Sequence, residues 1–153
     1  MRTGKRSLGW AACAGAVLTL FVALIAGRAA LSAEPGPSVE AAFVRPGLAE
    51  GRPAAGYLVL HGGARDDSLV GVTSPAAASI ELHETTRMSG VMHMTQQMAV
   101  AVPARAVVRF TPGGRHLMIF GLKAGRAPVP LELRFASGAR VRIDAPRRSA
   151  TVY

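Results

Sequence analysis

Residues 131 to 143 read LELRFASGARVRI, and their apolar side chains recur at every second position on either side of a central turn. A period of two is that of a β-strand, whose successive side chains point to opposite faces of the sheet. The turn-forming pair Ser137-Gly138 separates the two alternating halves. The stretch therefore predicts two antiparallel strands that bury one face and expose the other.

Six other short segments are rich in β-branched or large apolar residues, and turn-forming residues separate them. They cover residues 39–44, 56–60, 79–83, 91–95, 106–110 and 116–120. The pair Asp66-Asp67 is assigned to a turn. Since the sequence shows neither a convincing amphipathic helix nor an internal repeat, it predicts one all-β domain, a sandwich or a barrel.

The first 33 residues have the composition of a secretory signal. A basic start precedes a largely apolar run over residues 10–27, and small residues lead up to Ala33, after which we expect cleavage. The alternative is an uncleaved membrane anchor, because the run reaches the lower end of a spanning length. Cys13 lies too early in the run to be a lipid-attachment residue. The predicted organisation is a signal over 1–33, a β domain over 34–146 and a short basic tail over 147–153.

Removal of the signal leaves 14 basic and nine acidic residues, a net charge of +5. The basic residues are mostly single arginines that do not alternate with aromatic side chains, which argues against a nucleic-acid-binding groove. The only cysteine lies inside the signal. Without a thiolate, the mature chain has no blue-copper electron-transfer centre, no dithiol redox pair and no cysteine nucleophile.

Histidine and methionine are concentrated in one region of the chain. All five methionines after the initiator, and three of the four histidines, fall between His83 and Met118. Four of these residues, His83, Met94, His116 and Met118, form the pattern H-x10-M-x21-H-x-M. Two imidazoles and two thioethers are a soft donor set that suits Cu(I) far better than Mg²⁺ or Ca²⁺. The four residues are therefore the predicted ligands of one Cu(I) ion.

Strand geometry accounts for this spacing. His116 and Met118 are two residues apart, so on a strand both side chains leave the same face. A hairpin centred between residues 88 and 89 would place His83 directly opposite Met94, where side chains are neighbours. Met92 shares the face of Met94 and is a candidate auxiliary ligand.

The remaining candidates of the region have structural interpretations. His61 and His93 are expected to be satisfied polar residues, and Met98 is expected to fill the core. Met88, near the predicted hairpin tip, is assigned either to partner contact or to no role. Glu84 is either an orienting partner of the neighbouring histidine or an exposed carboxylate.

Three segments carry a specific resemblance: IELHE over 80–84, GVMHM over 90–94 and PGGRHLM over 112–118. Over residues 39–145 the chain resembles the periplasmic copper chaperones of the PCuAC domain family. The resemblance implies a cupredoxin-like Greek-key β-sandwich or barrel that binds Cu(I) and hands copper to the respiratory cytochrome oxidase. Two features depart from the family: Phe43 stands where the family often has Trp, and no His- and Met-rich extension follows Ala145.

The predicted function is that of an exported, periplasmic and monomeric copper chaperone without enzymatic activity. Its partner would be a copper acceptor such as a cytochrome oxidase subunit or its assembly factors, and membrane attachment is expected only if residues 1–33 stay uncleaved. A copper storage or resistance protein uses the same ligands, and a copper-dependent redox enzyme is a further alternative. A hydrolase is not supported, since the sequence lacks G-x-S-x-G, H-E-x-x-H and an evident carboxylate pair.

Overall fold

The computed structural model describes residues 34–49 and 51–149, and these residues form ten β-strands and no helix. The strands are β1 (Ser38–Arg45), β2 (Ala54–His61), β3 (Asp67–Thr73), β4 (Ser79–Met88), β5 (Val91–Gln97), β6 (Val100–Val102), β7 (Val107–Phe110), β8 (Arg115–Phe120), β9 (Val129–Phe135) and β10 (Arg140–Ala145). In this part of the chain, no helix has the length and hydrophobicity needed to cross a membrane. The predicted signal over residues 1–33 lies outside the described residues, as do residues 150–153.

The strands form two antiparallel sheets that enclose one core. The larger sheet has the order β1-β2-β8-β4-β5, with β7 also paired to β2, and the smaller sheet has the order β10-β9-β3-β6. Neighbours such as β2 and β8 are far apart in the chain, so long connections cross between the sheets, as is typical of Greek-key sandwiches. The predicted all-β fold is confirmed.

Alternation along the strands builds the core. In β9, every second residue from Val129 to Phe135 is buried, and β9 pairs with β10 over the turn at Ser137-Gly138. The apolar residues of the alternating sequence therefore form the buried face of the strand, and the polar residues between them form its outer face. Leu117 and Ile119 of β8 are fully buried from the other sheet. Burial of each such side chain stabilises the fold by roughly 1.5–3 kcal/mol.

Strand β3 begins at a residue that the sequence assigned to a turn. The carboxylate of Asp67 accepts hydrogen bonds from the backbone N–H groups of Ser68 and Ser137, at 2.7 and 3.1 Å, and from the Ser137 hydroxyl. Burial alone would raise the pKa of Asp67, but these hydrogen bonds outweigh it and hold the pKa below its ordinary value. Asp67 therefore ties the start of β3 to the β9–β10 turn, so the turn prediction is wrong here.

The β4–β5 hairpin turns at Ser89-Gly90, whose φ angles are 51° and 84°. Positive φ at both central residues defines a two-residue type I′ turn, whose twist matches that of the flanking strands. Met88 therefore pairs with Val91. The hairpin extends past the neighbouring strand, because the pairing of β4 with β8 ends at Glu84.

This turn fixes a register that differs from the predicted one. His83 lies opposite Gln96, and Met94 lies opposite Thr85. The predicted direct pairing of His83 with Met94 is wrong. Ser89 and Gly90 are the two turn residues, so the pairing of β5 with β4 is shifted by two residues from the predicted register. A shift of two keeps every side chain on its face, so His83 and Met94 become diagonal neighbours.

The first residues of the predicted basic tail lie against β1. The backbone N–H of Val44 donates to the carbonyl of Pro146, and that of Arg148 donates to the carbonyl of Val44, both at 2.9 Å. The guanidinium of Arg147 donates to the carbonyls of Ala127 and Lys123, at 2.8 and 2.9 Å. The ordered domain therefore continues past residue 146.

Candidate metal centre

The predicted ligands lie on the face of the larger sheet that points away from the core. Leu117 of β8 is fully buried, so its neighbours His116 and Met118 project from the other face of the strand. In the ladder between β8 and β4, His116 pairs with His83 and Met118 pairs with Glu81. The two histidines are direct cross-strand neighbours, and their ring centroids lie 5.9 Å apart.

The two methionines reach the same place from different strands. Met118 of β8, Met94 of β5 and His116 line one cavity of about 350 Å³, with Tyr57 of β2 among the other residues of its wall. His83 is not part of this wall, and it joins the cluster through its ring contact with His116. The exposed fraction is 8% for His116 and 54% for Met94, so the cluster runs from a buried imidazole to a thioether in contact with solvent.

His83 has one ring nitrogen engaged and one free. Its Nε2 lies 2.8 Å from Oε2 of Glu81. Because a carboxylate only accepts, Nε2 carries the proton and donates, which leaves the lone pair of a neutral ring on Nδ1. That Nδ1 atom is buried and has no hydrogen-bond partner. A buried polar atom without a partner is uncommon in native proteins, and a bound metal ion is one of the circumstances that accounts for it.

In His116 the other ring nitrogen, Nδ1, forms the hydrogen bond. Its Nδ1 lies 3.0 Å from the carbonyl oxygen of Gly114 and donates to it. The lone pair of the neutral ring is therefore on Nε2. The loop that supplies this carbonyl is closed by a hydrogen bond of 3.0 Å from the N–H of Gly114 to the carbonyl of Thr111, and Gly113 there has a φ of 79°. A backbone carbonyl and a carboxylate thus fix the two imidazoles, as is usual for metal-binding histidines.

Glu81, the carboxylate that contacts the candidate ligand His83, was not singled out by the sequence pattern. Glu84, the carboxylate considered as an orienting partner of His83, instead forms an ion pair with Arg115 at 3.3 Å. A signal for the correct residue was present, since Glu81 precedes His83 by two positions and so shares its face on a strand.

The other histidines and methionines lie outside the cluster. Met92 shares the face of Met94 but is not part of the cavity wall, and His93 pairs with Thr86 on the other face. His61 lies 2.7 Å from a carboxylate oxygen of Glu40. Met98 is 86% exposed in the loop after β5, so its predicted place in the core is wrong.

The cluster offers two nitrogen and two sulfur atoms as candidate donors. Among residues 34–49 and 51–149, no three of the types His, Cys, Asp and Glu lie together in a group able to hold a metal ion. The candidate set contains two such residues, His83 and His116, together with the thioethers of Met94 and Met118. Thioether and imidazole donors favour Cu(I), whereas carboxylate and carbonyl oxygens favour Mg²⁺ and Ca²⁺.

Solved structures of other proteins share this fold. The copper-bound PCuAC domain from PmoF2 is 21% identical, with a TM-score of 0.61, over 77% of this chain and 97% of that domain. The apo PCuAC domain from PmoF2 is 22% identical, with a TM-score of 0.63, over 78% of this chain and 95% of the domain. The fold is thus the cupredoxin-like β-sandwich of PCuAC domains, as the sequence resemblance implied.

Sequence relationship gives the family. A family model described as "Putative lipoprotein LpqE-like" matches residues 37–147. A protein of Leifsonia xyli subsp. xyli (strain CTCB07), named "Putative lipoprotein Lxx21020", is 33% identical in an alignment of 115 positions that covers 72% of this chain and 69% of the relative. The match to the family model extends from the start of β1 past the end of β10, so it includes every strand of the sandwich and all four candidate ligands. The chain therefore belongs to the LpqE-like family.

Proposed function

We propose that this protein is an exported copper chaperone that binds one Cu(I) ion and presents it to an acceptor protein. The ligands are His83, Met94, His116 and Met118. One observation carries the proposal: two cross-strand imidazoles each have one ring nitrogen fixed by a hydrogen bond and the other available, beside two thioethers. The PCuAC fold supports it, since one of the similar structures is a copper-bound domain.

The four ligands have different roles in binding and releasing the ion. His83 offers Nδ1 and His116 offers Nε2, and both atoms bind a metal only when the ring is neutral, so affinity falls in acid. Thioethers do not titrate and keep their preference for the reduced ion. Met94 is half-exposed on an edge strand, so it is the ligand that an acceptor's donor atom reaches first. Replacement of Met94 by the acceptor's donor atom joins the ion to the acceptor while the two imidazoles still hold it, and the ion leaves once the imidazoles are replaced in turn.

Export follows from the signal-like residues 1–33 and fits the lipoprotein descriptions of the family and of the Leifsonia relative. Cys13 does not fit lipid attachment, because most of the apolar run follows it. We therefore assign a periplasmic or other extracytoplasmic location to a monomer released by cleavage after Ala33. The acceptor is a copper-receiving protein such as a cytochrome oxidase subunit or its assembly factors. The role involves ligand exchange alone and no enzymatic turnover.

Copper content separates the chaperone from the alternatives. The apo protein is loaded with excess Cu(I) under a reductant, freed of unbound copper and analysed for copper and protein. One copper per chain is expected, because the donors form a single cluster. Several coppers per chain would favour storage or resistance. Cycling of the bound ion between Cu(I) and Cu(II) with substrate turnover would favour a redox enzyme.

A further inference from the structure

A second cavity adjoins the candidate metal centre and has a different chemistry. Its volume is about 610 Å³, and Met118 belongs to its wall as well as to that of the metal cavity. Two arginines, Arg45 and Arg52, lie in this wall beside the apolar side chains of Leu48 and Pro53. The cavity therefore offers positive charge and apolar surface within reach of the copper ligands.

Sheet register ties the cavity to the metal centre. Arg45 of β1 pairs with Ala55 of β2, Ala55 pairs with Met118 of β8, and Met118 pairs with Glu81 of β4. These residues form one cross-strand row on the outer face. With neighbouring strands about 4.8 Å apart, the Cα atoms of Arg45 and Met118 are separated by about 10 Å. The small side chain of Ala55 leaves the space between them open.

The two arginines have no anionic partner in the part of the chain that the structure describes. The ion pairs of that part involve other residues. The Nε–H group of Arg45 is buried and has no hydrogen-bond acceptor, although its guanidinium lies 5.8 Å from the centre of the Tyr57 ring. A third cation, Arg148, lies on the neighbouring Phe43 ring at 4.6 Å. Arginine side chains without an anionic partner form strong charge-assisted hydrogen bonds with carboxylates, so this pair of arginines favours an acidic partner.

We propose that this cavity is the docking site for an acidic segment of the copper-exchanging partner, an inference that rests on the proposed function. Carboxylates of the segment pair with Arg45 and Arg52, and an apolar side chain next to them packs on Leu48 and Pro53. Arginines repel free Cu(I), so they do not serve as a route for the bare ion. A small inorganic anion satisfies the charge but leaves the apolar wall uncovered. Such charge pairing raises the rate of association and aligns the partner with Met118.

The test uses the apo protein, so that it does not depend on copper. The ¹⁵N-labelled protein is titrated with a synthetic peptide that contains two aspartates, a leucine and a methionine, and the arginine Nε–Hε signals are followed by NMR. The aspartate peptide is expected to shift the signals of Arg45 and Arg52. Its affinity should weaken several-fold when NaCl rises from about 20 to about 200 mM, because salt screens exposed charges. A peptide with asparagines in place of aspartates should not bind.

Variants make the assignment specific. Arg45→Gln and Arg52→Gln should each abolish peptide binding, while Arg134→Gln, which removes an exposed charge from the smaller sheet, should not. Equal binding of the aspartate and asparagine peptides, or equal loss in Arg134→Gln, would overturn the proposal. Equal shifts and equal affinity with acetate at the same carboxylate concentration would also overturn it, since a small-anion site is then sufficient. A Cu(I) titration of Arg45→Gln should match wild type; an absence of Cu(I) binding in both would count against the proposed function and leave the peptide result intact.

Discussion

Nε2 of His83 donates a hydrogen bond to Oε2 of Glu81 over 2.8 Å, and the other ring nitrogen of His83 is buried without a partner. The carboxylate therefore selects the tautomer in which Nδ1 has the lone pair. It also fixes the orientation of the ring toward His116. Glu81 lies two residues before the histidine that it holds, on a strand that places both on the outer face.

Removal of the carboxylate should change both the tautomer and the affinity. In Glu81→Leu, we expect His83 to lose its preference for the Nε2–H tautomer, and Cu(I) affinity to fall by roughly 10–100-fold, as is common when a ligand loses its supporting partner. Imidazole ¹⁵N shifts of the apo protein report the tautomer, and a Cu(I) competition titration reports the affinity. Glu81→Gln keeps an acceptor oxygen and should retain the tautomer.

Glu84→Gln is the matched control, because Glu84 pairs with Arg115 and not with the histidine. It should leave the ¹⁵N shifts of His83 unchanged. An unchanged tautomer in Glu81→Leu would show that Glu81 does not orient the ring.

A substitution in the turn of the β4–β5 hairpin should weaken copper binding, although the turn itself contains no candidate ligand. Gly90 has a φ of 84°, which an alanine adopts only with strain. Gly90→Ala should destabilise the fold by about 1 kcal/mol and also weaken Cu(I) binding, since the turn sets the register that places Met94. Thermal unfolding and the Cu(I) titration measure the two effects.

Gly138→Ala is a control of equal strain. Gly138 has a φ of 89°, and an added Cβ meets open space at both glycines. This variant should lose similar stability and keep wild-type Cu(I) affinity, because its turn joins strands of the other sheet. Equal weakening of copper binding in the two variants would mean that the register of the β4–β5 hairpin does not determine Cu(I) affinity.

Asp67 should contribute stability that depends on pH. Burial opposes ionisation, but hydrogen bonds from Ser137 and Ser68 lower the pKa of Asp67 below its ordinary value. A lowered pKa stabilises the folded state above the ordinary aspartate pKa, and that contribution is lost as the pH falls through the folded value. Asp67→Asn should therefore be less stable by about 1 kcal/mol at pH 7, a small figure because solvent screens the site.

The difference in the free energy of unfolding between wild type and Asp67→Asn should shrink as the pH is lowered below the pKa of an ordinary aspartate. Urea unfolding of both proteins across the acid range measures it. A difference that stays constant with pH would show that the carboxylate charge is not the stabilising feature.

Local sequence pattern predicted the parts of the fold that follow a regular period. β9 and β10 alternate without interruption, so their strands and buried faces were predictable from residues 131–143. β3 was not, because Asp67 and Gly71 are typical of turns and a bulge between Leu69 and Gly71 breaks the period. What makes β3 a strand is its pairing with β6 and β9, which are distant in the chain.

The candidate site was predictable in composition and less so in arrangement. The spacing H-x10-M-x21-H-x-M named four residues that the fold brings together on one face. The register of His83 and Met94 depended on the φ angles at Ser89-Gly90, which the residue types alone leave open. The hydrogen bond of His116 to Gly114 depends on the exact conformation of the loop before β8, where the residue types predict a turn but not the direction of the Gly114 carbonyl.

The central claim is tested most directly by a Cu(I) titration of Met118→Leu against a chromophoric chelator. Leucine keeps the volume and apolar character of the side chain, a swap that usually costs under about 1.5 kcal/mol, so the apo fold should survive. Met98→Leu and His93→Gln change residues outside the cluster and serve as controls. Met118→Leu, like Met94→Leu, should weaken Cu(I) binding by at least about tenfold, because loss of a ligand's supporting partner alone costs that much. Both controls should bind Cu(I) as wild type does. Equal Cu(I) affinities for wild type and Met118→Leu would contradict the account, because the thioether would then be a structural side chain and not a ligand.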